Sequence, residues 1–181
     1  QSPPSSTKSV LVIGDSIIKH LNCQSDGVKF FKKCLKGSSI PHVSEFIKNF
    51  SSPDSYDVIY IHCGTNSVNI NKFGFISNST DILEYYSQLF SIVSKKFPSS
   101  QVIISRILFR RDLDYTSLCC INDFIHDLCR SFGFFFVNPS SRLTPSVLGR
   151  DGLHLNRSGS FHFKKLVTST CLELLFGQQK N

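Results

Sequence analysis

The chain has no apolar run longer than a β-strand, no cysteine pair at CxxC spacing, and neither a Walker loop nor a GxGxxG segment. The first absence leaves nothing of the roughly 20-residue length that a membrane-crossing helix needs. The second removes the usual spacing of a structural zinc site. The third argues against the common phosphate-cradling loops of nucleotide-binding proteins. No internal repeat is present. Residues Gln1 to Ser9 are polar, rich in Pro and Ser, and lack the apolar segment of a signal peptide. That stretch reads as a linker, and the domain is expected to be a piece of a longer protein. Acidic residues are scarce: 13 Asp and Glu stand against 20 Lys and Arg, a formal net charge of +7. Such a balance favours anionic partners such as RNA or acidic membranes and says nothing about catalysis.

What is present fits one enzyme-sized domain. A chain of 181 residues with 40% hydrophobic and 18% charged residues can bury a full core. The expected layout is a linker over residues 1–8, a folded domain over 9–177 and a tail over 178–181. Seven cysteines, Cys23, Cys34, Cys63, Cys119, Cys120, Cys129 and Cys171, are scattered without framework spacing. An odd, unpatterned set predicts free thiols in a reducing compartment, hence a cytoplasmic location.

Five short apolar runs alternate with longer amphipathic ones: Val10–Ile13, Val28–Leu35, Val58–Cys63, Val102–Ile107 and Phe134–Val137. Helices are predicted near Ile17–Leu21, Pro41–Phe50, Asp81–Phe97, Thr116–Phe132 and Asn156–Phe176. Pro41 suits a first helical turn and Asn156 an N-cap, while Gly133 and Gly177 sit where helices should stop. Pro53 and Pro98 mark the breaks before the third and fourth strands. The alternation predicts an α/β fold with a parallel sheet covered by helices. Lys29, Lys32, Lys33 and Lys36 stud the second run, as befits a protected edge strand. An order of 2-1-3-4-5 puts that strand at an edge and places ligands beyond the carboxyl ends of the strands.

Three motifs fall on that rim. Gly14-Asp15-Ser16 follows the first strand, Gly37 the second and Gly64-Thr65-Asn66 the third; Asp151-Gly152-Leu153-His154 lies near the far end. A serine hydroxyl needs a base to take its proton, and His154 is the natural one. Asp151, three residues earlier, can accept from the imidazole Nδ1–H and leave Nε2 facing Ser16. The Ser16 N–H, the Gly37 N–H and the Asn66 amide can stabilise an oxyanion, with a helix starting after Ser16 adding its dipole. Each residue alone has a plainer role: Ser16 as an N-cap, Gly37 as a turn, Asn66 as an Asx turn, His154 as a core or capping residue. Their joint occurrence, in this order, is what predicts a serine hydrolase.

With these residues the chain resembles the SGNH, or GDSL-type, hydrolase family. Its four hallmark residues match as Ser16, Gly37, Asn66 and His154, across nearly the entire chain after the leading segment. The resemblance implies a three-layer α/β/α flavodoxin-like sandwich and esterase chemistry through an acyl-serine, with no metal or other cofactor. The nearest branch it implies is the small acetylhydrolases, which act on acylated lipids or sugars. Val10 to Ile18 and Asp151 to Asn156 are also similar to the esterase domain in the first-open-reading-frame protein of vertebrate non-LTR (LINE-type) retrotransposons. That implies a domain of an RNA-associated, multidomain protein. Ser67 departs from the family, many of whose members have Asp there, so the hydrogen bonding around Asn66 is the point in question.

Other residues carry two readings. Arg110 and Arg111, in the loop after the fourth strand with Phe109, could grip a phosphate headgroup or an acidic substrate, or be solvated loop charges. Phe73 and Phe75 could line an acyl pocket, face a membrane, or pack beneath a loop. Asp15 as a phosphoryl-accepting nucleophile lacks any supporting magnesium site, and Cys63 reads as inert and buried. The expected partner is an acyl ester, with phospholipid or a membrane surface in its range and RNA through the wider protein. The alternative function is a vestigial hydrolase-like module that docks on membrane, RNA or a partner protein. Nothing in the pattern fixes the oligomeric state.

Overall fold

The structure is a computed structural model that describes residues 7–52, 54–139 and 143–177. Pro53, most of the leading segment and the C-terminal tail therefore lie outside the described residues. Five strands, β1 (Lys8–Gly14), β2 (Val28–Cys34), β3 (Val58–His62), β4 (Gln101–Ser105) and β5 (Phe135–Val137), form one sheet. Its order is β2-β1-β3-β4-β5 and every pairing is parallel. The α/β three-layer fold with the 2-1-3-4-5 order is thus present as the sequence predicts.

Side-chain alternation along the strands divides the core into two layers. Leu11, Ile13, Ile59, Ile61, Val102 and Ile104 face α1 (Ile40–Asn49), α2 (Ser79–Lys96) and α3 (Tyr115–Phe132). Val10, Val12, Val58, Tyr60 and Ile103 face the other way, onto Phe163, Val167 and Cys171 of α4 (Arg157–Phe176). β3 is buried at all five positions, as a central parallel strand covered on both faces must be. β2 leaves Lys29, Lys32 and Lys33 exposed at the sheet edge.

The helix ends follow their local chemistry. Pro41 lies in the first turn of α1, Asn156 caps α4 by accepting the Gly159 N–H, and Gly133 closes α3. One expectation fails. Ile17–Leu21 does not form a helix; Ser16–Ile18 is a single 3-10 turn, begun by the Asp15 carboxylate accepting the Ile17 N–H. The apolar residues Ile17, Ile18 and Leu21 are buried all the same, under the α4 layer. The face is already covered by a 20-residue helix, and the β1–β2 connection fills only the gap beside it. A three-residue turn brings almost no dipole, so the helix-dipole contribution expected beside Ser16 is withdrawn.

The fourth apolar run also ends earlier as a strand than its hydropathy suggests. β4 stops at Ser105, and the Ile107 N–H and C=O are taken by the buried Asn122 side chain at 2.9 and 3.1 Å. No helix of the described residues is long and apolar enough to cross a membrane.

The end of β3 is anchored from α2: the buried Tyr86 hydroxyl donates to the Cys63 carbonyl at 2.7 Å. Tyr86→Phe leaves that carbonyl unpaired, and urea unfolding should show a loss of about 1–3 kcal/mol. A midpoint equal to that of the unmodified protein would show that the bond contributes nothing to stability.

Candidate active site

The three central motifs converge because the strands end level. Gly14 of β1 pairs in register with Cys34 of β2 and His62 of β3, so the chain leaves all three strands at one edge. Ser16 follows two residues after Gly14, half-buried at the head of the 3-10 turn. Its Oγ lies 2.9 Å from His154 Nε2, and His154 Nδ1 lies 2.7 Å from Asp151 Oδ2. Residues separated by 138 positions in sequence therefore form one continuous hydrogen-bonded chain.

The turn that carries His154 is wound tightly. Gly149 N–H donates to the His154 carbonyl at 2.7 Å and Gly152 N–H to the Gly149 carbonyl at 3.1 Å. Asp151 Oδ1 accepts the N–H groups of Leu153 and His154, both at 3.0 Å, while Oδ2 faces the imidazole. The Leu153 N–H first, then the imidazole and the His154 N–H, pull the Asp151 carboxyl down to about 2. Its side chain is 52% exposed, so fixed donors rather than burial hold it in its charged state.

Asn66 sits in a second 3-10 turn, Thr65–Ser67, directly after β3. One hydrogen of its amide donates to the Ser38 carbonyl at 3.1 Å, tying this loop to the one that carries Gly37. An amide carries two such hydrogens, so one stays available for a ligand. Gly37 adopts φ +68°, a left-handed conformation that other residues resist, and its N–H makes no hydrogen bond among the described residues. Ser67, where the resemblance left a question, is buried and accepts the Ile40 N–H at 2.8 Å. It thereby satisfies a donor at the start of α1, while its carbonyl accepts from Asn78 at 2.9 Å.

Phe73 is 70% and Phe75 is 47% exposed, with Lys72 Nζ 4.9 Å from the Phe73 ring; neither packs beneath the loop. Phe109 packs against both core layers. Arg110 donates to Asp112 and to the carbonyls of Thr65 and Val68, and Arg111 donates to those of Gly149 and Arg150. Both guanidinium groups are thus engaged by the protein. Asp15 is 1% exposed and turned onto the Ile17 N–H. Burial pushes the Cys63 thiol far up and the neighbouring His62 down; His62 Nδ1 is paired with Ser105 Oγ at 3.0 Å. A protonated, enclosed thiol is a poor nucleophile. Among the described residues no group of His, Cys, Asp or Glu is placed to hold a metal ion.

Pattern reading missed Asn122 and Asn78, which shape the loops by side-chain-to-backbone bonds. A polar residue at a buried helical position was the available signal for Asn122 alone.

By sequence, no family model matches the chain and no curated protein matches it. Solved structures do. A crystal structure of an acetyl esterase with an acetate ion superposes with a TM-score of 0.71 at 17% identity, covering 93% of this chain and 98% of that one. A carbohydrate esterase family 3 structure from Talaromyces cellulolyticus gives 0.71 at 17% identity, with 93% and 98% coverage. A member of the lipolytic protein G-D-S-L family from Veillonella parvula gives 0.69 at 17%, with 90% and 98%. At such identities the likeness establishes architecture: the chain has the fold of SGNH or GDSL-type esterases and acylhydrolases.

Proposed function

We propose that the chain is a serine esterase acting on short-chain, acetyl-type acyl esters. The observation that carries this is the Ser16–His154–Asp151 chain, at 2.9 and 2.7 Å. The acetyl preference is supported by the esterase structure holding acetate, whose fold this chain shares.

In this reading His154 Nε2 takes the Ser16 proton as Oγ attacks the ester carbonyl. The negative charge that develops on the carbonyl oxygen is met by the N–H groups of Ser16 and Gly37 and the free hydrogen of Asn66 Nδ2. His154 returns its proton to the leaving alkoxide, which departs as an alcohol and leaves acyl-Ser16. Water, deprotonated by the same imidazole, attacks the acyl carbon, and the collapse restores Ser16 and releases the carboxylic acid. Asp151 fixes the tautomer and stays charged throughout. No cofactor takes part.

We extend the reading to context. The phrases Val10–Ile18 and Asp151–Asn156, the Pro- and Ser-rich lead and the +7 charge support a domain of a retrotransposon first-reading-frame protein. All seven cysteines are free, which supports a reducing, cytoplasmic location. Phe73, Phe75 and Lys72, exposed on one loop, support phospholipid esters among the substrates.

Hydrolysis of p-nitrophenyl acetate, butyrate and octanoate by the protein and by Ser16→Ala tests the assignment. Acetate should be the best substrate, and Ser16→Ala should abolish turnover. Asn66→Ala should lower kcat by about 10²- to 10³-fold. Equal activity in protein and Ser16→Ala, or none on any ester, would favour a docking module that retains only the shape of a hydrolase.

A pH profile provides a second test. The folded-state pKa of Asp151 is depressed, so its stabilising contribution is complete above its unfolded value and lost only as pH falls through about 2. From about pH 4 to about pH 8 the carboxylate adds no inflection, and kcat/KM should show a single acid-side ionisation. Asp151→Asn should reduce kcat by less than the roughly 10⁴-fold seen in buried triads, since solvent already screens half of this side chain. Two acid-side inflections in that range would contradict this account of Asp151.

A further inference from the structure

The proposed oxyanion donor and the proposed base stand on loops that share no direct hydrogen bond among the described residues: Asn66 follows β3, and His154 precedes α4. Both loops are gripped by consecutive residues of a third. Arg110 forms a two-pronged pair with Asp112, Nε to Oδ1 at 2.9 Å and Nη2 to Oδ2 at 2.7 Å. That pairing aims Nη1 at the carbonyls of Thr65 and Val68, at 3.2 and 3.4 Å, which bracket Asn66. Arg111 faces the other way. Its N–H donates to the Gly152 carbonyl at 2.8 Å, and its guanidinium donates to Arg150 and Gly149 carbonyls at 3.2 and 3.3 Å. Its stem lies on Gly152, where a Cβ would stand 2.7 Å from the Arg111 Cβ.

The loop holding both arginines is itself rooted. Asn122 of α3 holds the Ile107 N–H and C=O and also donates to Leu118 O at 3.0 Å. Downstream, Asp114 N–H donates to the Gly74 carbonyl at 2.9 Å and the Asp114 carboxylate caps α3 through Ser117 N–H at 2.7 Å. A planar guanidinium with fixed forks suits this work better than a flexible ammonium.

We propose that Arg110 and Arg111 are positioning residues that set the Asn66 amide and the Asp151–His154 turn at their working separation. The inference rests on the esterase reading above. Neither arginine touches the substrate; each acts through a loop whose displacement by about 1 Å would cost on the order of 10²-fold in rate.

The test uses Arg110→Ala, Arg111→Ala, Arg111→Lys and, as a charge control on the far end of α3, Arg130→Ala. Thermal melts verify folding. With p-nitrophenyl acetate, Arg110→Ala and Arg111→Ala should each lose about 10- to 100-fold in kcat with KM nearly unchanged. Arg111→Lys should recover part of the loss, and Arg130→Ala should match the unmodified protein. The Nδ1–H proton resonance of His154 should shift or broaden in Arg111→Ala and persist in Arg110→Ala. Losses confined to KM would make the arginines substrate contacts and overturn the proposal, as would unchanged kinetics in both alanine variants. An unmodified protein without Ser16-dependent turnover overturns the esterase reading. The positioning role of Arg111 falls too if Arg111→Ala then leaves the His154 resonance untouched.

Discussion

Everything at the rim of the sheet depends on β1 lying between β2 and β3 with all three ending level. Gly14 makes this possible through the closeness of its backbone to that of β3: a Cβ there would collide with the His62 carbonyl oxygen. The Asp15 N–H bonds to that same oxygen at 3.2 Å, and the Leu35 N–H bonds to the Gly14 carbonyl at 2.7 Å. From this junction Ser16 emerges beside the loops that hold Gly37 and Asn66. The strand register, not any attraction among the polar side chains, brings them together.

The electrostatics of the site differ from those of a buried triad. Asp151 is open to water, and its charge is secured by two backbone N–H groups from its own turn and by the imidazole. Geometry is therefore local, set within four residues, and needs no desolvated pocket. The cost is exposure: such a turn has few neighbours to hold it against the sheet. Arg111, packed on Gly152 and bonded to three carbonyls of the turn, supplies that attachment from outside.

Much of this was legible in residues. Alternating apolar runs encode strands because both faces of a central strand must be buried, and β3 obeys at every position. The lysines of β2 disclose an edge because charge cannot be tolerated between two covering layers. Ile17–Leu21 misled because a short apolar run reads alike as helix or as buried turn. Which it becomes depends on whether its face of the sheet is already covered, and α4, 140 residues later, decides that. Charge patterns were equally silent on Arg110 and Arg111. Apart from Asp112, two residues on from Arg110, their acceptors are backbone carbonyls, which every residue has, so no side-chain signal announces which loops they hold.

The sequence by itself determined the strands, the edge position of β2 and the chemical types at each strand end, since burial and turn chemistry are written in local composition. It also determined the Asp151–His154 relation, because a tight turn of four residues leaves that carboxylate few other partners. Only the tertiary structure decided that Ser16 meets His154 at 2.9 Å, that Phe73 stands in solvent, and that two arginines are engaged by carbonyls. Those outcomes arise from contacts between segments far apart in the chain, and they exist only once the sheet has fixed where each loop begins.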